Sequence, residues 1–126
     1  MPLTNAGRTF MASAVANAPG TKFFDNANAY IGIGSSTAAF ADDQVDLQAP
    51  VEKFRKKMDP GYPIVEGKKM TFRCTLGPDD ANFAFEEWGI FNDPVGGVML
   101  HRSVQFNGTK QQGQTWVFQC VVNTAP

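Results

Sequence analysis

Residues 68–77, KKMTFRCTLG, constrain the fold of this chain more than any other stretch. Met70, Phe72, Cys74 and Leu76 share one parity, and Thr71, Arg73 and Thr75 take the other. A period of two held through seven residues is the pattern of a strand with one face on an apolar core and one face in water, and a helix would scatter it around its axis. Such a strand is stable only inside a sheet, so the rest of the chain must supply its neighbours.

Several segments qualify. NAYIGIG at 28–34 sets Tyr30 and Gly32 against Ala29, Ile31 and Ile33 and ends at a Gly34-Ser35-Ser36 turn. TWVFQCVV at 115–122 puts Trp116, Phe118, Cys120 and Val122 on one side. VEKFRKKMDPGYP at 51–63 reads as a basic edge strand running into a turn, because lysines and prolines discourage edge-to-edge pairing. ANFAFEEWGIFN at 81–92 alternates with a flaw, and a bulge near Glu86-Glu87 or Gly89 would return Phe83, Phe85, Trp88 and Ile90 to one face. DPVGG at 93–97 has hairpin chemistry and leads into VMLHRSVQF, while NGTKQQGQ at 107–114 reads as a second turn.

Ahead of these strands, Thr4 or Asn5 can cap a helix through AGRTFMASAVANA, with Phe10, Ala14, Val15 and Ala18 on its apolar side and Pro19-Gly20 as its stop. Its bulk is small, so it is expected to lie on another surface as a lid or arm. Residues 35–50 are small and acidic and read as a surface loop with at most one helical turn. The expected fold is mainly β: an antiparallel β-sandwich or open barrel of five to seven strands, three of them in consecutive hairpins, with one N-terminal helix or arm. Residues 1–20 form the arm and 21–126 a single β domain.

Composition narrows function by exclusion. Eleven basic and twelve acidic residues leave a net charge of −1, which gives no steering toward nucleic acid or an anionic membrane. The start lacks a basic segment followed by an apolar run, and no stretch of 18 apolar residues occurs, which leads us to expect a soluble protein made inside a cell and kept or assembled there. Cys74 and Cys120 are too few for a disulfide framework and too far apart for a zinc site, and they read as reduced, buried thiols.

No residue pattern builds a catalytic or metal site. Glu86 and Glu87 are neighbours, so a regular strand points them to opposite faces, and only a bulge would let them share a reaction. His101 is the only histidine, and any triad or histidine-bearing metal site must use it. Its place in MLHRSV, beside Arg102, reads as a surface or interface position. GIGSSTAAF lacks the Gly-Lys-Ser/Thr of a phosphate loop and reads as a turn. The run from Lys53 to Lys57 has only Phe54 as a stacking platform, so it suits a solvated edge or an acidic neighbour better than a nucleic acid. Neither a cofactor nor a membrane is expected as a partner.

Several stretches resemble small structural proteins of tailed bacteriophages: LTNAGRTFMASAV, DNANAYIGIGSSTAAFADDQVDLQ, FRKKMDPGYP, MTFRCTLGPDDANFAFEEWGIFN and GGVMLHRSV, followed by a Trp-bearing last strand. The EEWGIFN…GGVMLHR portion is also similar to the E-x-G-L/I-F hairpin of phage tail-collar and tail-fibre attachment domains, where it belongs to a β-sandwich. The resemblance implies a non-enzymatic virion component, foremost a capsid decoration or cement protein on the major capsid protein, with a tail, baseplate or fibre-attachment subunit as the alternative. It implies a homo-oligomer whose contacts run through Arg8 and Phe10 on the arm and through the opposite charge clusters Asp42, Asp43 and Asp46 and Lys53, Arg55, Lys56 and Lys57. A host-glycan module using Trp88, Trp116, Tyr30 or Tyr62 is a further alternative, and it needs those rings exposed.

Overall fold

The computed structural model describes residues 3–124. One helix, α1 (Asn5–Val15), precedes seven strands: β1 (Tyr30–Gly34), β2 (Lys53–Lys57), β3 (Ile64–Glu66), β4 (Lys69–Leu76), β5 (Glu87–Phe91), β6 (Met99–Val104) and β7 (Trp116–Asn123). They form two antiparallel sheets, ordered β2-β1-β5-β6 and β3-β4-β7. The fold is a mainly β sandwich, as the alternation in β4 requires. Among the described residues no helix is long and apolar enough to cross a membrane.

The core lies between the sheets. Phe72, Cys74 and Leu76 of β4 and Cys120 and Val122 of β7 face Ile31 and Ile33 of β1 and Trp88 and Ile90 of β5, all of them buried. Aromatic edges stitch the layers: Phe85 meets Trp116 at 5.2 Å and Phe118 at 5.7 Å, and Trp88 meets Phe118 at 6.4 Å, all close to perpendicular. Phe85, Trp88 and Ile90 share this core and Phe83 packs against it, as expected. The shift in parity falls just before β5, where Glu86 N–H donates to Gly34 O while Gly34 pairs with Glu87, so both glutamates lie opposite one residue.

The expected run of three hairpin-linked strands is not present. The 93–97 turn does join β5 to β6, but residues 107–114 carry the chain from one sheet to the other, and β7 pairs with β4 over their full lengths. Turn residues announce a reversal without naming the next neighbour. The match of two long, one-faced strands decides that pairing. Residues 64–66, between the expected turn ending at Pro63 and the strand from residue 68, form the short strand β3 beside β4.

Thr4 is the helix N-cap, its hydroxyl accepting from Gly7 N–H at 2.8 Å. The surface under α1 is the chain's own β6: Thr4 N–H donates to Leu100 O at 3.1 Å, the Thr4 hydroxyl donates to Met99 O, and Leu3 bridges to His101. Gly7 is buried there, where a Cβ would collide with the Leu100 backbone. Contact through a glycine fixes which side of the helix faces inward, and Val15, expected on that side, is 89 % exposed.

Candidate functional site

The central strands of the four-stranded sheet, β1 and β5, are buried on both faces, and the second face holds the most heavily invested polar cluster among the described residues. Glu87, first residue of β5, and Arg102, on β6, are each fully buried in their side chains and joined at 2.7 Å from Nε to Oε1. The segment 35–50 folds over them. Oε1 of Glu87 also accepts from Gln48 N–H at 2.8 Å, and Oε2 accepts from Ala49 N–H at 2.9 Å and Ser36 N–H at 3.4 Å. Arg102 Nη1 donates to Gln44 Oε1 at 3.2 Å, and its Nη2 has no partner among the described residues. Charge-assisted bonds of this kind are about twice as strong as neutral ones. The cluster is a clamp that fastens an irregular loop to a sheet.

Two glycines make room for it. A Cβ on Gly34 would overlap the Glu87 carboxylate, and one on Gly32 would overlap the Phe91 ring. Leu47 of the covering loop, Phe91 and Met99 form a small second core there, with Tyr30 against it. Arg55 lies 3.6 Å over Phe91 and donates to the Asp93 and Gly96 carbonyls. The loop read as surface therefore buries Leu47 and Ala49. A strand whose second face is capped by loop rather than by a sheet shows no extra apolar alternation. The signal that does exist is the pair of glycines two residues apart in YIGIG.

His101 departs from expectation. It is buried at 1 % exposure, packs 4.5 Å from Trp88 in an edge-on contact, and neither ring nitrogen has a partner among the described residues. Gly89 pairs with Arg102 and Phe91 with Met99, so Leu100 and His101 together stand opposite Ile90. This bulge turns both side chains toward the core, which strict parity forbids. Burial pushes the imidazole down to about 4, so it stays neutral without a hydroxyl or thiol to serve as its nucleophile. Glu86 is part-exposed and Glu87 is committed to the clamp, and the two do not open into a common cleft. Burial pushes the Cys74 thiol up to about 12 and raises Cys120 well above its usual range, and both are free. Among the described residues no group of three His, Cys, Asp or Glu side chains converges as a metal site would.

The residues expected at subunit contacts fall in three places. Asp46 pairs with Lys53 at 3.1 Å and Arg55 at 3.3 Å, and Lys56 pairs with Asp80 at 3.0 Å, so these opposite charges meet within one chain. Burial alone would raise Asp46, but hydrogen bonds from Lys53 and the Leu47 N–H hold it below the usual carboxylate range. Asp42, Asp43 and Lys57 are exposed. Arg8 is exposed on α1, and Phe10 packs 4.7 Å from Phe24 and 6.5 Å from Phe23. Beside Phe10 an open groove of about 520 Å³ runs between α1, the 18–22 segment and residues 92–98. Trp88 is buried and Trp116 is half-buried on the core, so neither offers a free ring platform.

Compared with protein-family models and with curated proteins, the sequence matches none of them.

Proposed function

We propose that this chain is a non-enzymatic structural subunit of a bacteriophage particle, seated on the capsid lattice as a decoration or cement protein. The observation that carries the reading is where the polar chemistry goes. The residues best placed to do chemistry, Glu87, Arg102 and His101, are buried and hold the molecule's own loop and strands. What remains outside is a rigid sandwich with an exposed groove and charged loops, features that act by fit beside a neighbour.

A second reading, attachment to a tail or fibre, is favoured by the E-x-G-I-F hairpin. Each fixed residue of that motif serves packing. Glu87 supplies the clamp carboxylate, Gly89 sits where a Cβ would press on His101 O, and Phe91 is the centre of the second core. Residues used in this way suit a motif that defines a scaffold.

Quantitative mass spectrometry of purified particles tests the assignment. A copy number matching the capsid lattice supports decoration, and one matching the low rotational symmetry of a tail supports attachment. Particles that lack the polypeptide altogether would refute both.

A further inference from the structure

Four strands form the edges of the two sheets, and three are protected. β2 carries Lys53, Arg55, Lys56 and Lys57; β6 is covered at Leu100 and His101 by residues 3–4; β3 is three residues long. Lysines, cover and shortness are the usual means of keeping a sheet edge from pairing. β7 has none of them. It is eight residues long, WVFQCVVN, with no charged residue, proline or glycine.

The phase of the β4–β7 ladder shows which backbone groups are free. Thr124 N–H donates to Lys68 O, so hydrogen-bonded pairs alternate from there: Met70 with Val122, Phe72 with Cys120, Cys74 with Phe118. Arg73 O, which lies between these positions, points away from β7 and accepts from Asp59 N–H, as that phase demands. Val117, Gln119 and Val121 therefore turn their N–H and C=O outward from the sheet. No hydrogen bond reaches those groups among the described residues. Val117 is 61 % exposed and Val121 47 %.

We infer that β7 is the seat of a two-fold contact, pairing antiparallel with β7 of a second copy of this chain and centred on Gln119. In that register Val117 faces Val121 of the other copy, Gln119 faces its equivalent, Phe118 faces Cys120, and Trp116 faces Val122. Val117, Gln119 and Val121 then each meet an outward-facing residue of the other copy, so their backbone groups are satisfied reciprocally. β-Branched side chains lie opposite one another on the outer face, and the half-buried aromatic rings of the inner face gain cover. The absence of charge along the strand is what favours a second copy, because a two-fold axis brings every side chain near its own kind and would set like charges together. The two three-stranded sheets become one continuous sheet. The contact does not depend on the particle assignment.

Sedimentation equilibrium of the full chain tests this, combined with residue-resolved amide exchange. The expected result is a dimer in which the Val117, Gln119 and Val121 amides gain protection as concentration rises, while those of Phe118 and Cys120 are protected throughout. The Val117→Lys/Val121→Lys variant, altered only at solvent-facing positions, is expected to be monomeric with an unchanged circular dichroism spectrum. Should that variant fold poorly, Gln119→Cys supplies an independent readout: paired Cα atoms about 5.5 Å apart permit a disulfide, so oxidation should give a covalent dimer. A parent chain that stays monomeric up to its solubility limit, a dimer whose three outward amides exchange freely, or a Gln119→Cys dimer that does not cross-link would each overturn the inference.

Discussion

Replacing Glu87 by Gln removes one charge at nearly constant volume, and the clamp geometry makes its effect large. Oε1 faces two donors, Arg102 Nε–H and Gln48 N–H, and Oε2 faces two more, Ala49 N–H and Ser36 N–H. An amide in either orientation therefore points its NH2 at a pair of donors, and Arg102 is left buried without its counter-charge. Breaking a buried ion pair from one side costs about 3 to 5 kcal/mol, a large part of the roughly 5 to 15 kcal/mol that holds an ordinary domain folded. Arg102→Met should cost less, about 1 to 3 kcal/mol, because three backbone N–H groups still solvate the carboxylate. In the double variant the two losses should fall short of additivity by at least about 1 kcal/mol, since the orphaned arginine is gone. Denaturant titration followed by tryptophan fluorescence measures all three, and limited proteolysis should show cleavage moving into residues 36–49 in Glu87→Gln. A cost below about 1 kcal/mol for Glu87→Gln, with additive behaviour in the cycle, would refute the clamp.

Two further outcomes follow from the same structure. Gly7→Ala should gain about 1 kcal/mol in helix propensity yet be destabilised overall by about 1 to 3 kcal/mol, because its Cβ forces α1 off the Leu100 backbone and breaks the Thr4 bonds; a thermal melt at or above that of the parent would contradict this. His101 titrates at about 4 when folded and near 6.5 when unfolded, so the unfolded state binds the extra proton and stability is lost as pH falls through that window, by about 2 kcal/mol between pH 7 and pH 5. His101→Phe, which cannot titrate, should flatten that decline, and equal declines in parent and variant would show that the imidazole is not shielded.

What could be read from the sequence and what could not divide along a physical line. The inward faces of β4 and β7 and the edge position of β2 follow from residues that each obey one local rule: period two for Phe72, Cys74, Phe118 and Cys120, and lysine density for 53–57. His101 and Glu87 escaped because each answers to a partner distant in sequence. His101 shares the face of Ser103, opposite Trp88, in a strand whose two faces are both buried, and a loop some forty residues upstream buries Glu87. The same distinction bears on Asp46, Lys53 and Arg55, whose opposite charges suggest a contact between copies until the loop brings them together within one chain. Paired within the chain, those charges need no second copy to satisfy them. The open edge of β7 is an uncharged surface, where exposed Val117 and Val121 flank backbone groups that no other described residue satisfies. The β7 contact inferred above would rest on backbone pairing and shape more than on salt-sensitive attraction, so adding salt should leave that self-association nearly unchanged while weakening contacts made through Asp42, Asp43 and Lys57.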